Sequence, residues 1–260
     1  MTQATALLET RNLSIRFGAV VAVDNISVKI HDGEVVGLIG TNGAGKTTFI
    51  NMVTGYLKPT SGSIALGGVT VAGTNPRKMV AQGVARSFQV PQLFPEMTVI
   101  EHIVTALALA GQREEGLLGQ MNTAARLDEA HAILRRFDLH AIAQRTVSLV
   151  PQGQRKLIDI AMALSLRPKL LFLDEPTSGV SSAEKVPLME VVFEAIRAHG
   201  VTVLFVEHDM DIVVRYVTRL MAFRDGKLIA DGLPADVMQD AQVSSAVLRQ
   251  RKITPVESAS

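Results

Sequence analysis

Cysteine and tryptophan are both missing from the 260 residues, and aromatics make up only 4% of them. Without cysteine there is no disulfide framework and no thiolate metal site, which fits a reducing, cytoplasmic compartment. With no tryptophan, 2 Tyr and 9 Phe, platforms for stacking nucleobases are not expected. An excess of one charge is lacking too: 26 Lys and Arg against 25 Asp and Glu leave no electrostatic footprint for nucleic acid. The chain is rich in aliphatic residues, yet no run reaches the ~18 uninterrupted apolar residues of a membrane span. The start of the sequence carries neither a basic region nor an apolar one behind it, so no signal peptide is expected. Internal repeats and low-complexity segments are absent. The length lies near the upper limit for one hydrophobic core, so one domain with a sub-domain is the expected layout.

What is present is a phosphate cradle. Gly40-Thr41-Asn42-Gly43-Ala44-Gly45-Lys46-Thr47 follows the apolar run Val35-Val36-Gly37-Leu38-Ile39 and matches G-x-x-x-x-G-K-[ST] in full. The glycines let successive backbone N–H groups turn toward a polyphosphate, and the helix that follows presents its positive end. Lys46 can bridge the outer phosphates as a point charge, and the Thr47 hydroxyl can ligate Mg²⁺. A Gly-rich turn that merely joins strand to helix would not need the complete, correctly flanked motif. The loop therefore implies a nucleoside triphosphate, with Gly40 through Thr47 and the adjacent Thr48 as contacts.

The chain divides into three parts. From about Leu7 to Gln89 it reads as β-rich: Leu13-Ser14-Ile15-Arg16-Phe17 and Val28-Lys29-Ile30 alternate, and Gly33, Gly62, Gly67 and Gly68 mark turns. From Pro91 to about Val150 the pattern is helical. Thr98 precedes Val99, Ile103, Leu107 and Ala110 at helical spacing, and a second helix is expected from about Ala124 to Phe137. Gly111, Gly116 and Gly119 read as a loose connection between the two. After Gly153, strand–helix alternation returns, with Leu170–Leu173, a helix to about Ala198 and then Val201–Val206. Strands apolar throughout suit a parallel sheet covered on both faces. The expected fold is therefore α/β. A nucleotide-binding core spans 1–90 and 151–240, with an N-terminal antiparallel β subdomain, a helical subdomain inserted at 91–150 and a tail at 241–260.

Strand Leu170-Leu171-Phe172-Leu173 ends in adjacent carboxylates, Asp174 and Glu175. A buried strand would deliver Asp174 to the sheet edge beside the phosphate loop, where it can hold Mg²⁺. Glu175, one residue on, can accept a proton from an attacking water. A strand ending in Asp-Glu is by itself as well explained by the start of a solvated loop; the upstream cradle tips the balance.

At this point the chain resembles the ATP-binding subunits of ATP-binding cassette (ABC) transporters over nearly its whole length. Five further segments carry the resemblance, in order. Phe17 stands where that family stacks a ring on adenine; taken alone it reads more readily as a core aromatic. Gln89, in Arg86-Ser87-Phe88-Gln89, is similar to the glutamine that senses Mg²⁺ and the membrane subunit. Val150-Pro151-Gln152-Gly153-Gln154 holds the signature position, just ahead of a helix, and Ser178-Gly179-Val180-Ser181 holds that of the D-loop. His208 resembles the switch histidine. Gln89 or His208 alone would pass as surface polar residues, and Pro-Gln-Gly-Gln as a turn feeding a helix. Two positions depart from the family pattern: Pro151 replaces the signature serine and Ser181 replaces the D-loop aspartate. Each departure removes one polar contact, a hydroxyl to the γ-phosphate and a carboxylate at the dimer interface.

Ala85-Arg86-Ser87-Phe88-Gln89 with Leu93-Phe94-Pro95-Glu96-Met97-Thr98-Val99, Thr54 through Gly62, and the loose connection before Ala124–Phe137 are similar to the ATPases of branched-chain (hydrophobic) amino acid importers. So is Asp231 through Val237, although the family's aromatic ending is missing after Val247. The resemblance implies ATP and Mg²⁺ as cofactors, with Phe17, the cradle and Pro151, Gln152, Gly153 and Gln154 on nucleotide. It implies Thr47, Gln89 and Asp174 on the metal, and Glu175, His208 and Gln89 in catalysis. It further implies membrane permease subunits, a second ATPase subunit (a copy or a paralogue) and, indirectly, a solute-binding protein, at the cytoplasmic face of the inner membrane. ABC ATPases for another cargo, such as urea, amides, lipids or exported compounds, share every catalytic motif. A soluble relative acting on ribosomes or DNA would call for tandem cassettes, a coiled coil or a basic face, and none is present.

Overall fold

In the computed structural model, residues 5–71, 75–115 and 123–245 are described. Two sheets organise them. The first is four-stranded and antiparallel, in the order β2-β1-β4-β5 (β1 Leu8–Phe17, β2 Val20–Ile30, β4 Ser61–Leu66, β5 Val69–Thr70). The alternation read in β1 puts Leu13 and Ile15 inward, and that in β2 buries Val28 and Ile30 about the exposed Lys29. Gly62 sits inside β4, not in a turn; its backbone is left-handed (φ 87°), and an added Cβ would lie 2.4 Å from the Asn12 carbonyl of β1.

The second sheet has six strands in the order β10-β9-β3-β8-β7-β6. They are β3 (Val35–Gly40), β6 (Val84–Ser87), β7 (Leu170–Asp174), β8 (Thr202–Val206), β9 (Arg219–Arg224) and β10 (Lys227–Gly232). All neighbours are parallel except the β9–β10 edge pair. The continuous apolar runs serve two cores, because successive side chains leave opposite faces of a strand. Phe172, Leu204, Val206 and Phe223 pack toward the antiparallel sheet and Phe49, whereas Leu171, Leu173, Val203 and Phe205 pack toward the helices.

Between β6 and β7, helices cover one end of this core. Helix α3 (Val99–Glu115) begins with a reciprocal cap: the Glu101 carboxylate accepts the Thr98 N–H at 2.7 Å, and Thr98 Oγ1 accepts the Glu101 N–H at 3.4 Å. Helix α3 runs through Gly111, so that glycine is not part of the loose connection expected there; 116 and 119 lie outside the described residues. Helix α4 (Ala124–Arg136) follows, capped by Thr123, and then two 3₁₀ turns at His140–Ile142 and Val147–Leu149 lead into α5 (Gln152–Ser165). The remaining helices are α1 (Lys46–Val53), α2 (Pro76–Ala81), α6 (Ser182–His199), α7 (Met210–Tyr216), α8 (Pro234–Gln239) and α9 (Ala241–Val243). The expected tail is therefore not all tail: α9 inserts Val243 into the core. The segment beyond Val247 lies outside the described residues.

Candidate functional site

The C-terminal ends of β3 and β7, with the loop after β8, converge at one sheet edge, where ligands bind in open α/β sheets. Beyond β3 the cradle turns into α1. Gly45 is left-handed (φ 101°), and a Cβ there would lie 2.6 Å from the Ala22 carbonyl. Gly43 is also left-handed (φ 79°) but faces open space, so a side chain there would enter only the volume a ligand would use. Lys46 is 6% exposed and folds back into the loop, with Nζ donating to the carbonyls of Gly40 at 2.8 Å and Thr41 at 3.0 Å. Burial lowers its pKa, and the carboxylates of Glu175 and Asp174 oppose that shift.

Asn42, Gly43, Ala44, Gly45, Lys46, Thr47 and Thr48 line a cavity of about 280 Å³ together with Ala22, Glu175 and His208. Cradle, carboxylate and histidine thus meet across residues far apart in sequence. Glu175 is held from two sides: Gln89 Nε2 donates to its Oε2 at 2.6 Å, and His208 Nε2 lies 2.8 Å from its Oε1. A carboxylate only accepts, so this contact puts the imidazole proton on Nε2. Glu175 and His208 also wall a neighbouring 330 Å³ cavity lined by Thr177, Ser178, Gly179 and Val180. This arrangement can accept a polyphosphate at the backbone amides and Lys46, and can orient a water against Glu175.

Other expected residues lie apart from this cavity. Phe17, at the end of β1, is 50% exposed, which rules out the core reading and leaves its ring accessible, but it does not line the cavity. Pro151, Gln152, Gly153 and Gln154 form the start of α5, with Pro151 at the N-cap and without a side-chain cap. Gln152 instead abuts Gly179, whose added Cβ would lie 2.4 Å from Gln152 Nε2. Ser181 is the N-cap of α6 and donates to the Glu184 carboxylate.

Asp174 carries a partner that its motif does not announce. Arg86, on β6, donates to Asp174 Oδ2 at 2.6 Å and to Asn51 Oδ1 at 2.6 Å, with its guanidinium over the rings of Tyr56 and Phe88. Two more buried groups went unread in the sequence. Glu207, 5% exposed, accepts the N–H groups of Thr177 (3.0 Å) and His208 (2.8 Å) and the Thr177 hydroxyl, tying two site loops together. Lys156 of α5 donates to the carbonyls of Gln89 and Glu175. Neither stands out locally: Lys156 follows Gln152-Gly153-Gln154-Arg155, and Glu207 is followed by His208 and Asp209.

The donor set fits Mg²⁺ bound with nucleotide. Among the described residues no group of three or more His, Cys, Asp and Glu could hold a metal by itself. Mg²⁺ commonly takes one or two carboxylates plus substrate phosphates, and the Thr47 hydroxyl on the cavity wall and the buried Asp174 supply that partial set.

Comparison with known proteins shows the family of the chain. The family model described as ABC transporter matches residues 23–178. The chain is 36% identical over 250 residues to the high-affinity branched-chain amino acid transport ATP-binding protein LivG of Salmonella typhimurium, covering 93% of this chain and 97% of that protein. It is 34% identical over 249 residues to BraF of Pseudomonas aeruginosa, a protein of the same description, with the same coverage. Among solved structures it superposes with a TM-score of 0.80 on the ADP conformation of MJ1267, an ATP-binding cassette of an ABC transporter, at 30% identity over 92% of this chain and 97% of that one.

Proposed function

Because the chain belongs to the ABC transporter family, we propose that it is the ATP-hydrolysing subunit of an importer for branched-chain or other hydrophobic amino acids. Cassettes of this fold bind nucleotide, and ATP-binding subunits of transporters work with membrane permease components. Among the described residues no helix is long and apolar enough to cross a membrane, so this chain would reach the bilayer through such permeases.

The observation that carries the catalytic reading is the convergence of the cradle, Glu175 and His208 on one cavity. In this reading the amides of Gly43 to Thr48 and Lys46 bind and orient the β- and γ-phosphates of ATP, and the exposed ring of Phe17 stacks on adenine. Thr47, Asp174 and Gln89 would hold Mg²⁺, which supplies charge neutralisation on the transferring phosphoryl group. Glu175 takes the proton of the attacking water as general base, and His208 supports both the carboxylate and the charge that develops opposite it. Pro151–Gln154 does not line the cavity of its own cradle and would close over the nucleotide of a second ATPase subunit.

The cargo reading rests on the LivG and BraF relatives, which match almost end to end. It is tested by reconstituting the chain with its permease subunits and solute-binding protein in proteoliposomes loaded with ATP. Uptake of labelled leucine that stops with Glu175→Gln is the expected result. ATP turnover that responds to permease while leucine, isoleucine and valine all stay outside would overturn the cargo and keep the ATPase.

A further inference from the structure

Helix α5 is tied to the hydrolytic site of its own chain by a buried charge that the mechanism above does not use. Lys156, in the second turn of α5, is 2% exposed. Its Nζ donates to the Gln89 carbonyl at 2.5 Å and to the Glu175 carbonyl at 2.9 Å. One turn further along, Asp159 Oδ2 accepts the Phe88 N–H at 3.0 Å. A single face of α5 therefore holds the backbone beside Gln89 and that of Glu175. An ammonium is an expensive way to fill buried space, and a neutral chain of the same length would fill it without the desolvation cost.

The backbone being held is strained. Glu175 is left-handed at φ 47°, a region that non-glycine residues seldom occupy and keep only when their surroundings over-determine it. Its N–H donates to the Val206 carbonyl at 3.0 Å, so the sheet fixes the peptide before Glu175 and Lys156 the peptide after it. The side chain then spans Gln89 Nε2 and His208 Nε2. Released from Lys156, the Glu175 peptide can relax toward an extended conformation, and the carboxylate leaves that pair of contacts.

We propose that Lys156 is a positioning residue for hydrolysis, clamping the carbonyls of Gln89 and Glu175 so that the aim of the general base follows the position of α5. The proposal rests on the reading of Glu175 as that base. It also gives α5 a double role, since the helix whose first turn would meet a partner's nucleotide governs the carboxylate of its own site. Displacement of that first turn would be felt through one side chain at Glu175.

The test uses the full chain with Lys156→Met and Lys156→Arg, each alone and with Glu175→Gln, measuring kcat, KM for ATP and binding of a fluorescent ATP analogue. A misaimed base predicts that Lys156→Met lowers kcat ~10–100-fold while KM stays within about threefold, and that Lys156→Arg, which can still donate to both carbonyls, recovers most of the loss. In the Glu175→Gln background, Lys156→Met should change the residual rate by less than about threefold, because both act through one group. If Lys156→Met fails to bind the analogue, Lys156→Gln, which keeps a donor, takes its place with the same expected split. Unchanged kcat in a variant that binds ATP, or a full multiplicative loss on top of Glu175→Gln, overturns the proposal. A wild-type rate in Glu175→Gln alone overturns the base assignment beneath it, so the two failures are told apart.

Discussion

Lys46 donates to two carbonyls of its own loop, beside carboxylates that favour its charged form against burial. Nucleotide binding would exchange those carbonyls for phosphate oxygens, a charged pair worth roughly 1.5–3 kcal/mol per bond. Lys46→Ala should therefore weaken ATP binding by at least ~10-fold and abolish turnover, as read by equilibrium titration with a fluorescent nucleotide. Unaltered affinity would remove Lys46 from the phosphates. At this scale the sequence was most informative where chemistry is local in the chain. The cradle and Asp174-Glu175 belong to short motifs whose neighbours predict the environment, whereas Gln89 and His208 were placed only by the family resemblance. Arg86, Glu207 and Lys156 were illegible because their partners lie 88, 30 and 67 residues away. No neighbouring residue distinguishes Lys156 from Arg155, which instead reaches the Val150 and Ser148 carbonyls.

Among the elements, α5 concentrates buried charge. Asp159, 8% exposed, has its pKa raised to about 6 by burial, against the pull of the Phe88 and Gln92 N–H groups and of the facing Lys156. A carboxyl whose folded pKa is raised binds protons more tightly folded than unfolded. Its stabilising contribution is thus present below the ordinary carboxylate pKa and is lost as pH rises toward about 6. Asp159→Asn removes that titration. The wild type should lose ~2 kcal/mol relative to the Asn variant between pH ~4.5 and ~7, measured by denaturant unfolding of both proteins at each pH. A constant difference across that range would mean Asp159 is not buried as an acid. Strands were easier to read than the connections. Apolar runs doubly covered in a parallel sheet leave little ambiguity, and β7 and β8 fall where Leu170–Leu173 and Val201–Val206 put them, within a residue. Glycine misled twice. Gly111 lies in α3 because α4 passes close, an added Cβ falling 2.8 Å from Arg126 Nη2, and Gly62 lies in β4 because β1 passes close. Both follow from close approach between elements, which local turn chemistry does not encode.

For the molecule as a whole, the two family departures bear on how two cassettes would meet. Pro151 is exposed, at φ −57°, and leaves the first amides of α5 without a side-chain cap. A serine oxygen there could accept from α5 while its proton is donated to the partner's γ-phosphate, so capping and nucleotide contact do not compete. Against this, losing proline raises the entropy of the unfolded chain and costs ~0.4–1 kcal/mol of stability without touching the closed dimer. Glu175→Gln/Pro151→Ser should therefore form its ATP-bound dimer at ~3–10-fold lower ATP than Glu175→Gln alone, as followed by light scattering. A weaker dimer would assign Pro151 to shaping the turn into α5. The cradle meets Glu175 and His208 within one chain, whereas Pro151–Gln154 lies outside that cavity, and under the proposed function it is this first turn of α5 that would meet the nucleotide of a second subunit.

Under the proposed function, hydrolysis by this chain depends above all on Glu175, whose carboxylate is held by Gln89 and His208, whose backbone carbonyl is held by Lys156, and which lines the cavity with the cradle. Single-turnover release of labelled phosphate from bound ATP, with affinity measured on the same samples, isolates its role. Glu175→Gln should bind ATP within about threefold of the wild type and release phosphate ~10²–10⁴-fold more slowly, the usual contribution of a general base. Phosphate release at the wild-type rate from fully bound nucleotide would contradict it.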